Sequence, residues 1–388
     1  MHALNYCMLL PGPEAQQLAT YTGWLLHGIR GGLAAGVLFI LPSMFILFGL
    51  STVYVLFGKI AWVAAIFDGL KPAVVAIVAV ALMKIGKKSL LSPFHYLVAL
   101  GAFVAIFFLK IPFPLIMASA IVLAFILGKF FPGVLAQGKN GNKSERLPDE
   151  EGYYLSRHSA VVKGHWPFWK VVLLIGIFIV LWAAPYIILS IGANGPFWKP
   201  FILFFTKAAL VTFGGAYAVL PYVAQVSVEK FQWLTSLEML DGLALGETTP
   251  GPLIMVLAFV GFMASWNLLG NSIALAGLGL GVTVYYTFLP CFLFIFAGAP
   301  FIERTRDNPK VKKSLSIITA AVVGVVLNLS IYLLLQVVFK GGYELSNLKW
   351  PDTVWILISF FAMYVFKRGM IEWLLISALF GFGNYLIS

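Results

Sequence analysis

Two tripeptides are the leading candidates for chemistry, Pro11-Gly12-Pro13 and Pro250-Gly251-Pro252, each set in a long apolar stretch. Proline removes a backbone donor and glycine tolerates dihedrals closed to other residues. Each PGP is therefore expected to break a helix and leave a free helix N-terminus behind it. Inside a bilayer such a break survives only where it faces protein or a water-filled cavity. Paired interruptions at corresponding places in two halves of a chain point to a transporter's binding site. The alternative is a pair of packing kinks, and recurrence at equivalent places argues for the site.

The residues after each break, Glu14 to Leu18 and Leu253 to Val256, would aim backbone N–H groups at an anion. The positive end of a helix dipole, about half a charge, stands behind them. Gly12 and Gly251 permit close approach, while Asn5, Gln16, Gln17, Thr248 and Thr249 supply neutral donors suited to a site that must also release its ligand. Gly214-Gly215 either lets a backbone pass near the second break or forms a close helix crossing. Lys207 either lines the path as a cation or snorkels to the headgroups; Lys71, beside Pro72, is read as snorkelling. Glu247 and Glu14 would repel an anion if ionised, so each is protonated, paired with a lysine, or the carrier of a coupling proton.

The elements that must hold these residues follow from composition. The 388 residues are 61% hydrophobic and 11% charged, and the mean hydropathy is +0.95, far from soluble norms. Span-length apolar segments recur without the alternation of a β-barrel, so the fold class is an all-α polytopic membrane protein. The spans are read at 3–27, 31–57, 60–83, 94–109, 112–131, 171–191, 200–222, 241–267, 271–297, 314–338, 353–366 and 370–387, twelve crossings with the first and eighth broken at PGP. Cys7 and Cys291 lie in apolar surroundings and the five histidines form no ligand-spaced cluster with them, so no metal, haem or other cofactor is expected. There is no Walker-type phosphate loop, and sparse His and Asp argue against an intramembrane enzyme. The net charge of +11 is placed between spans, where orientation and anionic lipid account for it without nucleic acid.

A polar linker at roughly 132–170 divides two halves that resemble each other. Leu41-Pro42-Ser43-Met44-Phe45 parallels Leu289-Pro290-Cys291-Phe292-Leu293, and residues 70–82 parallel 315–327. The chain is divided accordingly into a first repeat at 1–131, a linker and topology-inverting helix at 132–199, and a second repeat at 200–388. The second half opens with 207–221 and an amphipathic stretch through 228–233 that the first half lacks. Placing Arg30, Lys84, Lys87, Lys88, the linker, Lys230, residues 304–313, Lys367 and Arg368 in the cytoplasm, with Lys59, Lys110, Lys199, Lys340 and Lys349 outside, satisfies the positive-inside rule. The two halves then read as inverted-topology repeats, a transporter architecture.

Together the duplicated PGP, the LPxF-type segments, Phe213-Gly214-Gly215 and Leu245-Gly246-Glu247-Thr248-Thr249-Pro250-Gly251-Pro252 resemble the chromate ion transporter family of the two-domain type. The resemblance implies efflux of chromate, with sulfate as its structural analogue, across a bacterial inner membrane by a multi-pass carrier and not an enzyme. Another anion such as sulfate, or an inactive shortened member, is the alternative. Members usually begin with an FGGP-bearing helix before the first PGP; this sequence lacks it, and a homodimer partner or upstream coding sequence would complete the first half. A dianion leaving a cell held about 150 mV negative gains roughly 7 kcal/mol, so efflux needs no ATP.

Overall fold

The computed structural model describes Cys7 and residues 10–130, 168–213, 215–305, 309–339 and 344–387. Asn5, Gly214 and the polar linker up to residue 167 lie outside the described residues. Among the described residues, regular structure is helical throughout, apart from one isolated bridge between Phe339 and Leu348. The helices are α1 Glu14–Phe57, α2 Ala61–Ser89, α3 Pro93–Phe107, α4 Phe113–Phe130, α5 Phe168–Ile191, α6 Gly195–Val211 and α7 Ala216–Ala224. They continue with α8 Ser236–Thr248, α9 Val256–Leu268, α10 Ile273–Thr305, α11 Pro309–Val338, α12 Trp350–Tyr364 and α13 Met370–Ile387. Six of the described helices are long and apolar enough to cross a bilayer, in accord with an all-α polytopic membrane protein.

Three hairpins shape the bundle, and two of them replace a stretch read as one crossing. In α1 the backbone leaves the helix at His27 and at Gly28, whose φ of 63° and ψ of −154° suit only glycine. The arms at 14–26 and 29–57 then lie side by side, with Gly23 against Gly31 and Thr20 against Gly36. Around the second PGP, Gly246 abuts Val256, Gly242 abuts the Phe259 ring, and the Asn267 amide donates to the Trp233 carbonyl at 2.9 Å. The start of α8 and the end of α9 are therefore neighbours, and PGP is the tip of a hairpin. Residues 241–267 do not cross; their two arms of 13 residues each, about 20 Å long, reach only partway and return.

A third hairpin is α6–α7. Its turn holds Gly215 at φ 97°, and its arms zip through rings: Phe204 lies 5.5 Å from Tyr222 and Phe201 lies 5.3 Å from Trp233. A short π-helix, Gln225–Lys230, ends the returning arm. The expected span at 200–222 is thus two arms. Lys230 lines the same cleft as Lys110, so its placement on the opposite side from Lys110 is corrected.

The second arm of α1 and α10 pack along each other. Gly32 meets Phe296, Gly36 meets Phe292 and Phe48 meets Gly277; one number rises as the other falls, so the two run antiparallel. Their hairpins join at their N-terminal ends, which places the two PGP tips as entrants from opposite ends of the bundle.

Packing of the remaining helices is exchanged between the halves. α2 packs on α12 and α13, while α11 packs on α3 and α4. The α2–α13 contact is backbone against backbone, Gly69 on Gly381, made possible by small residues where lipid offers no hydrophobic drive. Gly381→Leu is expected to force α13 off α2 and cost about 3 kcal/mol, read as an earlier thermal unfolding transition in detergent; an unshifted transition would contradict this packing.

Candidate functional site

Both PGP turns share one geometry. Gly12 has φ 128° and Gly251 φ 132°, a region open to glycine alone, and Pro13 and Pro252 stand in extended conformation as the N-caps of the helical turns that follow. The first backbone bond after the first turn runs from Gln17 N–H to Pro13 O at 3.1 Å, so the N–H groups of residues 14–16 lie ahead of the helical ladder.

Each tip is seated against the other half of the chain. Cys291 Sγ and the Gln17 amide occupy the space a side chain at Gly12 would need, and the Ser43 hydroxyl occupies that space at Gly251. Ser43 also donates to the Pro250 carbonyl. Ser43 and Cys291 hold the same position in the paired LPSMF and LPCFL segments, so a similarity visible in the sequence becomes reciprocal contact in the fold. Ser43 sits about 21 Å from either end of the 29–57 arm at 1.5 Å per residue, and Cys291 is comparably central in α10. Both tips therefore lie against the middle of these two long helices.

The turn between α6 and α7 joins them. Gly12 N–H donates to the Thr212 carbonyl at 2.7 Å. A Cβ on Gly215 would stand 3.7 Å from Glu14 Oε1, so this glycine lets the backbone pass close to the first tip. Two residues on, the Tyr217 hydroxyl donates to Glu247 Oε1 at 2.8 Å. Glu247 is buried and makes no ion pair among the described residues; the electrostatic partner of Glu14 is Lys88. Two carboxylates thus stand at the junction, one held by a neutral hydroxyl and one on which the positive charge of Lys88 acts.

The expected neutral donors are largely engaged inside the protein. Gln17 Nε2 donates to the Pro11 carbonyl at 2.7 Å and Gln16 Nε2 to Thr20 Oγ1 at 2.9 Å, although neither amide oxygen has a partner. Thr248 and Thr249 donate to the carbonyls of Leu245 and Gly246 at 2.8 and 2.9 Å, closing the end of α8. Pro11, Gly12, Pro13 and Pro252 are buried, whereas Pro250 and Gly251 are exposed and Glu14, Gly215, Tyr217, Thr248 and Thr249 are half-buried. Pro250 and Gly251 together with these half-buried residues form the accessible part of the junction. Gly214 falls outside the described residues.

Lys207 is not brought to the tips. It is exposed and lines a separate cleft of about 710 Å³ with Lys110, Lys230 and Glu229. Lys71 does not snorkel: its side chain is 13% exposed and its Nζ lies 2.7 Å from Asp68 and 3.5 Å from Asp241. Asp241, on α8, also accepts from the Tyr54 hydroxyl at 2.8 Å. This ion pair and Tyr217 were missed in the sequence because their partners are remote in it. Among the described residues no group of His, Cys, Asp and Glu could hold a metal ion.

The family model described as chromate transporter matches residues 1–127 and 199–382. A chromate transport protein of Cupriavidus metallidurans is 29% identical over 83% of this chain and 69% of its own length. A probable chromate transport protein of Synechococcus elongatus is 27% identical over 83% of this chain and 71% of its own. For a chromate transport protein of Pseudomonas aeruginosa the values are 28%, 83% and 68%. No solved structure matches the chain.

Proposed function

Because this chain belongs to the chromate transporter family, we propose that it exports chromate or a closely similar tetrahedral oxyanion from the cytoplasm by alternating access at the junction of the two PGP turns and the turn between α6 and α7. The observation that carries the reading is the antiparallel packing of the 29–57 arm against α10, which supports two PGP tips entering from opposite ends and ending near mid-depth. Two half-helices whose N-termini meet there present N–H groups and dipoles to an anion from both directions. The chain is read as two inverted repeats, 1–131 and 200–388, with α5 reversing the topology of the second.

The driving force in this proposal is the membrane potential acting on a dianion, and Glu247 is the site of any coupled proton. A buried carboxylate whose one partner among the described residues is a tyrosine hydroxyl is costly to ionise, and neutralising it removes the repulsion an oxyanion would meet. Glu247→Gln is expected to keep the Tyr217 contact, to leave potential-driven chromate flux within about three-fold and to abolish its acceleration by a pH gradient. Reconstituted vesicles with an imposed potassium-diffusion potential, with and without a pH step, measure both. Flux that needs neither potential nor Glu247 would remove the coupling scheme; absence of chromate flux alongside sulfate flux would move the substrate to sulfate.

A further inference from the structure

A cavity of about 290 Å³ opens between α2, the start of α7 and the turn joining α12 to α13. Most of its lining is apolar, including Ile77, Val80 and Met363, and its two charged lining residues, Lys84 and Arg368, are both cations. The remaining polar side chain is Tyr217, whose hydroxyl reaches Glu247. One end of the cavity is therefore basic and open to water, since Lys84 and Arg368 are exposed. The other touches the junction of tips through Tyr217, two residues from Gly215.

Resting on the oxyanion-transport reading above, we propose that this cavity is the vestibule through which the tetrahedral oxyanion enters, with Lys84 and Arg368 as its first ligands and Tyr217 as the hand-over residue. Two cations over apolar walls focus the field on a dianion more strongly than either would in open water. Among the described residues Arg368 has one competing partner, Glu372 Oε1 at 3.3 Å, and both side chains are at least half exposed. An exposed pair of that kind is weak, and a guanidinium has five N–H donors, so most of the fork stays free for an anion. Tyr217 has one proton to give. It holds Glu247 while the junction is empty and turns to an anion oxygen as the ligand arrives, which makes it an occupancy-dependent latch between α7 and α8.

The same two cations would also attract a lipid phosphate, so the membrane composition must be an arm of the test. Wild type, Lys84→Gln, Arg368→Gln, Arg368→Lys and Tyr217→Phe are reconstituted in vesicles of phosphatidylcholine alone and with one-third phosphatidylglycerol, and chromate flux is followed against concentration. The vestibule predicts a rise of about ten-fold in the half-saturating chromate concentration for each Gln variant in both membranes, with maximal flux little changed. It predicts partial recovery in Arg368→Lys, and for Tyr217→Phe a fall of about ten-fold in maximal flux with little change in half-saturation. Unchanged half-saturation in variants that melt like wild type would overturn it, and a defect confined to phosphatidylglycerol vesicles would overturn it in favour of a headgroup site. Wild-type vesicles that move no chromate would instead sink the transport reading itself.

Discussion

Replacing Gly251 by valine is expected to reduce chromate flux by at least ten-fold while the protein still inserts and elutes as a folded species. Two effects coincide at this position. The φ of 132° is closed to a β-branched residue, and the space for a Cβ is taken by the Ser43 hydroxyl, so the tip must either lift from the 29–57 arm or flip its turn. Gly12→Val should behave alike, because φ is 128° there and Cys291 and Gln17 fill the corresponding space. Shortening Ser43 to alanine or glycine relieves the clash but not the dihedral, so Gly251→Val with Ser43→Gly is expected to stay below half of wild-type flux. Size-exclusion profiles separate a lost site from a lost fold; full activity in Gly251→Val would show that the tip geometry does not matter to transport.

The second large effect concerns stability. Lys71→Met is expected to cost about 3–5 kcal/mol, the usual consequence of removing one partner from a buried ion pair. Asp241, whose side chain is 6% exposed, would keep the Tyr54 hydrogen bond and lose its cation. The double variant Lys71→Met with Asp241→Asn removes both charges and should recover most of that loss. Tyr54→Phe alone should cost less, about 1–3 kcal/mol. Thermal unfolding in detergent orders the four proteins, and a single variant as stable as the double would show that the pair carries no such weight. Because Asp241 sits on α8 and Lys71 on α2, the same measurement tests whether this pair anchors the second hairpin.

The breaks at PGP could be read from the sequence because proline and glycine act on their own backbone, whatever surrounds them. What the chain does on either side of a break could not. Arms of 13 residues joined by a short turn have the length and hydropathy of one crossing, so hydropathy alone does not distinguish passing through from turning back. The misplacement of Lys230 followed directly from that ambiguity. The paired LPSMF and LPCFL segments were visible as a duplication, but their use, Ser43 and Cys291 under the opposite tips, is a tertiary contact with no local signature. Tyr217 stands among 15 tyrosines and 34 phenylalanines, where nothing singles out the one whose hydroxyl meets Glu247. Lys71 beside Pro72 looked like an interfacial lysine because Asp241, its buried partner, comes from the other half of the chain.

The exchanged packing of α2 on α12–α13 and of α11 on α3–α4 sets an order of events at the ribosome. When α3 and α4 leave the insertion machinery, the helix they will finally lie against has not been synthesised. They must wait in lipid, sheltered by little except each other, until α11 arrives. The N-terminal half is thus a set of inserted but undocked helices for most of translation, and the bundle closes only as the last helices emerge. A ribosome that stalls before α11 leaves a membrane species with bare helix faces, the kind of substrate that quality-control proteases extract.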